Sequence, residues 1–438
     1  MEPKKKLYSD FDDISKYCSD PEVANFGEGV PNFKAPDIFW SNIQKVRKDE
    51  ATLDRTQAAN NFKSEIIKYF SGIWTNRKLD LDNIEAGNGA DDLIAMLLRS
   101  LLQPGDEVLT FLPSYLYYYS TLDQMKVPVN KVTLHCKRGE ITFSPQEFES
   151  AMNPKVKLIL LNYPQNPTSK VFTMEELQFI RKIVLANPQV TVISDEVYLN
   201  LCFGKHPFIS FATLPDMFER TISVYSVGKT FSGNVGKNKF GYAIGSRNLL
   251  DYVHKHNNIP VESQLPAEML QNLADLLAEA RQPYQGFDNF YLWNRDRFEK
   301  KAARITVAFR KLGYNVMDSE GGFYTLLDMT DQISKIPIKY FYDHPEQVPQ
   351  GRAEETLNSF DEWRNLPKVE RTPDYAFCFW LAENKKIVIW PLSGFSDYQF
   401  KHIPVLQRQE TNVCRISFTR DEQEILKLEN LKESQHNQ

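Results

Sequence analysis

Between about positions 84 and 245, short apolar runs alternate with stretches in which apolar residues recur every third or fourth position. The runs suit buried strands and the periodic stretches suit helices with one apolar face. Their alternation predicts a parallel sheet with helices packed on its faces. Strands are expected at 156–161, 190–194, 221–227 and 240–244. Thr173 and Glu176 precede a periodic stretch and form a capping box, which opens a helix running to about Leu185. Another helix, over 91–102, is stopped by Pro104, Gly105 and Asp106. After a helical stretch over 283–312 the pattern becomes mixed, with strands expected at 321–327, 387–390 and 413–418 and a helix at 375–384. The expected division is an N-terminal arm with part of a small domain over 1–45, a large domain over 46–300, and a small α+β domain over 301–438. Within the last, 334–371 is polar, charged and proline-bearing, and too long for an ordinary connection. It reads as an insertion, either a cover over a site or an elaboration of the surface.

Composition narrows the class. Of 438 residues, 42% are hydrophobic and 25% charged, which fits a soluble globular enzyme. The formal charge of -5 argues against a nucleic-acid partner, and the one basic run, Lys4 to Lys6, reads as a solvated tail. The start, MEPKKKLYSDFDD, has no apolar leader segment, and no uncharged apolar stretch approaches the roughly 18 residues that span a bilayer. No membrane partner is expected, and the cytoplasm is the expected compartment. Five cysteines without CxxC spacing support neither a disulfide framework nor a zinc site, and they are expected to be reduced and buried. No metal is expected. His254 and His256 flank a lysine on an expected helix and read as solvated.

Three residues bring in chemistry. Asn166 in NYPQNPTS, Asp195 in ISDEVY and Lys229 in SVGKTFS each follow one of the expected strands. In parallel α/β sheets ligands bind beyond the carboxyl ends of the strands, so the three converge on one crevice. An amine, a carboxylate and an amide placed together suit pyridoxal 5'-phosphate (PLP). Its aldehyde forms a Schiff base with a lysine, and its ring nitrogen stays protonated beside a carboxylate. The turn Gly89-Ala90-Asp91 opens a helix, and its backbone N–H groups and helix dipole suit the phosphate. Ser226 adds a hydroxyl. The third glycine of a dinucleotide fingerprint is missing, and no GxSxG or HExxH motif offers a competing site.

From about Asn25 to Leu431 the chain resembles the class I and II aminotransferases of fold type I, the aspartate aminotransferase superfamily. GNGADDLI, PGDEVL and the P-x-Y-x-x-Y of 113–118 are similar to histidinol-phosphate aminotransferases; FGEGVPNFKAP, SVGKTFS and DYAFCFWL are similar to kynurenine and glutamine transaminases. The resemblance implies a large domain with a mainly parallel seven-stranded sheet, a homodimer, and transfer of an amino group from an L-amino acid to a 2-oxo acid by a ping-pong mechanism. It implies that Lys229 carries the Schiff base and then moves the proton at Cα. Asp195 pairs with the ring nitrogen, Asn166 and Tyr198 hold the ring hydroxyl, and Tyr115 stacks on the ring. Arg415 in VCRISF binds the substrate carboxylate, a task suited to its paired donors, with the Gly29 backbone closing over it. The same residues also serve C–S lyases and aminocyclopropane-carboxylate synthases. A non-catalytic PLP-fold sensor is the remaining alternative.

The chain departs from this pattern in three places. The segment after Lys229 is longer by two before the basic phosphate ligand, which makes Lys239 the first choice and Lys237 the second. Leu53 falls near the position of the tyrosine that a neighbouring subunit normally lends. Ser169 stands where relatives have glycine, which is expected only to stiffen that turn.

Overall fold

The computed structural model describes residues 11–46, 53–137, 139–204, 206–257, 265–396 and 411–431. Its main sheet has seven strands, in spatial order Ile84–Gly87, Gly241–Gly245, Thr221–Ser226, Thr191–Asp195, Val156–Asn162, Glu107–Leu112 and Val129–Thr133. Gly241–Gly245 runs antiparallel to both of its neighbours, and the other neighbouring pairs are parallel. The central runs are largely buried because both faces are covered, and alternate residues enter different cores. Ile222, Val224 and Ala243 pack with the helices Ala90–Leu101 and Arg247–His256. Tyr225, Tyr242 and Ile244 face the helices Arg55–Phe70 and Ala267–Ala280 on the other side. The helix Met174–Ala186 carries the capping box expected from Thr173 and Glu176.

A second, antiparallel sheet joins Asn315–Val316, Tyr324–Asp328, Val413–Ser417 and Trp390–Pro391. The expected strand over 387–390 is divided. Ile387–Val388 pairs instead with Ala24–Asn25, in parallel, which brings the N-terminal segment onto this end of the molecule. The expected helical stretch over 283–312 is helical only over Phe290–Lys311. Phe290 on this helix packs with the main-sheet core, while Ile305 and Phe309 pack with the second core. Ile336, Ile338, Phe341, Leu357 and Trp363 from the 334–371 segment are buried in that second core, against Ile14, Phe26 and Phe377. A polar sequence thus hides a set of apolar anchors. No helix among the described residues is long and apolar enough to cross a membrane.

Cys18 and Cys202 are only partly buried, against expectation. Cys378 and Cys414, distant in sequence, place their sulfurs 3.6 Å apart. His254 is not simply solvated: its Nε2 lies 2.7 Å from the carboxylate of the buried Glu85.

Candidate active site

Three strands end at the same edge of the main sheet, and their ends build the floor of the site. Asn162 and Asp195 close neighbouring parallel strands and are register partners. The Asn162 side chain locks the turn that leads to Asn166: its Nδ2 donates to the Asp195 carbonyl at 3.1 Å, and its Oδ1 accepts from the Asn166 N–H at 2.9 Å. Thr221–Ser226 passes directly into a short helix, Val227–Phe231, because the Ser226 hydroxyl accepts from the Lys229 N–H at 3.3 Å. Lys229 therefore sits on a helical turn rather than at the tip of a strand. Its ammonium lies 5.1 Å from the centre of the Phe323 ring and 5.6 Å from that of Tyr198.

Asp195 and Glu196 are adjacent buried carboxylates in opposite circumstances. Glu196 accepts from Ser194, Ser210, Ser223 and Tyr225 hydroxyls and from the Phe211 N–H. Asp195, 4% exposed, accepts from the Tyr118 hydroxyl and, at 3.3 Å, from the Val197 N–H. Burial pushes Asp195 up from the ordinary 3.8 to about 7, with the Tyr118 hydrogen bond and the positive charge of Lys229 acting against it. Such a carboxylate ionises readily only beside a cation, which is the demand a protonated ring nitrogen satisfies.

The phosphate end is equally specific. Gly89 caps the helix Ala90–Leu101 at φ +108°, a left-handed conformation, and a Cβ there would lie 3.4 Å from Lys239 Cβ. A twelve-residue helix thus presents its N-terminal N–H groups, with Lys239 alongside. The Tyr115 hydroxyl lies 3.4 Å from Asp91, whose carboxyl burial holds above the usual range. A bound PLP fits this donor set: backbone donors and a cation for phosphate, a buried acid for the ring nitrogen, and an amine for the aldehyde.

Arg415 closes the other end. It is 4% exposed and lies over Tyr324 at 4.2 Å and Phe395 at 4.5 Å. Its Nη1 donates to Asn166 Oδ1 at 3.0 Å and its Nη2 to the Gly27 carbonyl at 2.7 Å. At Gly29 a Cβ would come within 2.3 Å of the Tyr324 hydroxyl, so only glycine fits against it.

These parts face one cavity of about 940 Å³. Gly29, Gly89, Ala90, Asp91, Tyr115, Asn166, Asp195, Tyr198, Ser226, Lys229, Lys239 and Arg415 all line it. Lys237 does not, and neither does Leu53, which packs at the edge of the main-sheet core. No residue of 334–371 lines the cavity; the segment's buried residues belong to the second core. Sequence reasoning missed Tyr118, which bonds Asp195, and the lining residues Tyr324, Phe11, Trp390 and Phe395. Tyr118 lies in the P-x-Y-x-x-Y string already singled out, whereas Phe11 and Phe395 carry no local signal.

The sequence profile described as aminotransferase class I and II matches residues 21–425. The chain belongs to this family. Curated relatives of the aminotransferase include kynurenine–oxoglutarate transaminase 3 of Mus musculus, 27% identical over 404 residues, covering 89% of this chain and 81% of that protein. Kynurenine–oxoglutarate transaminase 1 of Rattus norvegicus is 25% identical over 402 residues, covering 87% and 86%. Among solved structures, Bna3p of Saccharomyces cerevisiae shares the fold with a TM-score of 0.78 at 24% identity, covering 99% of this chain and 97% of that one. The aminotransferase is a fold type I, PLP-dependent enzyme that transfers an amino group from an amino acid to a 2-oxo acid.

Proposed function

We propose that amino transfer in this cavity runs through Lys229, and the observation that carries the assignment is the convergence of Lys229, Asp195 and Arg415 on one cavity. When bound, PLP supplies an electron sink for the bond broken at the substrate Cα. Lys229 would hold the cofactor through its amine, and that amine, once free, would be the base placed to move the proton at the substrate Cα. Asp195 keeps the ring nitrogen protonated. Asn166, whose carbonyl is occupied by Arg415, would offer its amide N–H to the ring oxygen, and the Tyr198 hydroxyl would be a second donor to it. Tyr115 would back the ring, and Gly89, Ala90, Asp91, Ser226 and Lys239 would hold the phosphate. Arg415 and the Gly29 backbone orient the substrate through its α-carboxylate, which fixes which Cα bond faces Lys229.

The aromatic walls Phe11, Tyr117, Trp390 and Phe395 support a donor with a planar side chain. The relatives' names make kynurenine and 2-oxoglutarate the first donor and acceptor to try. Val30 and Tyr117, exposed at the cavity mouth, support a homodimer in which a second copy covers them.

The test is the visible absorption spectrum of the purified enzyme. A donor amino acid is expected to abolish the band of lysine-bound cofactor and a 2-oxo acid to restore it. Release of pyruvate and ammonia from a cysteine conjugate, without recovery by the oxo acid, would mean elimination instead. Lys229→Ala is expected to abolish turnover and leave the circular dichroism spectrum intact; persistent turnover removes Lys229 from the mechanism. Arg415→Ala is expected to raise KM for every α-carboxylate substrate about a hundredfold while PLP affinity changes little, and equal loss of both sinks its substrate role.

A further inference from the structure

Residues 26–33 form a strap along one side of the cavity and contain neither helix nor strand, so something other than a backbone ladder must hold them. Much of that hold comes from Arg420. The residue is 2% exposed; Nη2 donates to the Glu28 carbonyl at 3.0 Å and to the Val30 carbonyl, and Nη1 to the Glu28 carboxylate at 3.3 Å. One side chain thus grips the peptide groups on both sides of Gly29. The neighbouring Thr419 hydroxyl also donates to the Glu28 carbonyl, at 2.8 Å. Arg420 is itself fixed from behind, because its carbonyl accepts from Lys301 Nζ at 2.8 Å.

This arrangement is a weak source of stability. A guanidinium withdrawn from water is offset here by neutral carbonyls and one half-exposed carboxylate, and its Nε has no partner among the described residues. A hydrophobic side chain would pack there without that desolvation. Both carbonyls take their bonds from one nitrogen, Nη2, whose two N–H bonds are held in the guanidinium plane while Nη1 is tied to the Glu28 carboxylate; that rigid donor fixes the separation of the carbonyls, and hence a direction for the Gly29 N–H.

We propose that Arg420 is a positioning residue for substrate: it sets the strap so that the Gly29 N–H and the Arg415 guanidinium meet the same carboxylate. The proposal rests on the reading of Arg415 and Gly29 as the carboxylate site. It predicts a defect confined to carboxylate binding, with the Lys229 and phosphate ends unaffected.

The experiment measures KM and kcat for several amino donors and 2-oxo acids, Ki for 3-phenylpropanoate as a bare carboxylate probe, and the visible band of the bound cofactor, in Arg420→Met and Arg420→Lys. Arg420→Met is expected to raise KM for all of these substrates, and Ki for the probe, by about tenfold, with kcat within about twofold and the band unchanged. Arg420→Lys is expected to recover part of the loss, since an ammonium supplies donors to the carbonyls but turns freely and leaves the Glu28 carboxylate arm unfilled, so it does not fix their separation. An unchanged KM and Ki, or a loss of kcat and cofactor together with KM, overturns the proposal. If Arg420→Met does not fold, Thr419→Val removes the neighbouring grip on Glu28 without changing volume. A smaller rise in KM and Ki then supports the strap's role, and no rise overturns it. Arg415→Ala separates the two readings. If it leaves KM unchanged, the carboxylate site is elsewhere and this proposal falls with it; if it raises KM while Arg420→Met does not, only Arg420 is displaced.

Discussion

At Asp195 the shift from 3.8 to about 7 comes first from burial, so the proton is bound because the charged form lacks water. Between those values the folded, cofactor-free chain keeps a proton that the unfolded chain has released. Its stability therefore falls as pH rises from about 4 to about 7 and levels off above that. A protonated ring nitrogen pairs with the ionised acid, so PLP affinity rises over the same interval. Titration of the cofactor-free protein is expected to give tighter PLP binding near pH 8 than near pH 5.5, and Asp195→Asn to flatten the difference. A PLP affinity with the same pH dependence in both proteins would take Asp195 away from the ring. The lysine, the acid and the amide were legible in the sequence because each lies in a short string next to its own strand. Tyr118, Tyr324 and Arg420 were not, because what they touch is far along the chain: 77 residues separate Tyr118 from Asp195, and 392 separate Arg420 from Glu28.

Elements that close on themselves were equally readable. The helix opened by Thr173 depends on a side chain three residues away, and the structure has it with both reciprocal bonds. Strands whose partners are remote were placed less well; the 387–390 run is apolar throughout, and nothing local divides it between two sheets. Ser169 is a subtler case. It adopts φ +68°, so the residue in place of glycine does more than stiffen the turn: a side chain is held in the left-handed region. Ser169→Gly is expected to stabilise the protein by about 1 kcal/mol, read from the urea midpoint of the cofactor-free form. A midpoint that falls would show that the packing of the buried serine offsets its backbone strain.

Across the whole molecule, the second core takes anchors from three distant stretches: the N-terminal segment, the 334–371 insertion and the C-terminal strands. Trp363 is 2% exposed there and donates through Nε1 to the Arg371 carbonyl at 3.2 Å. Trp363→Ala is therefore expected to destabilise the protein by about 3–5 kcal/mol while leaving KM for donor and acceptor unchanged. A changed KM at unchanged stability would tie the insertion to substrate after all. The strap adds a consequence for synthesis. Its Phe26 carbonyl accepts from the Ser417 N–H at 2.8 Å, and its Phe33 carbonyl from the Asn234 N–H at 2.8 Å. It leaves the ribosome early, yet the groups that fasten its first half emerge some 390 residues afterwards. At a translation rate of about 5–20 residues per second, that half waits on the order of 20–80 seconds for its anchorage. During that interval a nascent chain already holding its main sheet has a cavity with one side open, and chains stalled before Arg415 are expected to be cut within the strap by proteases that spare the finished enzyme.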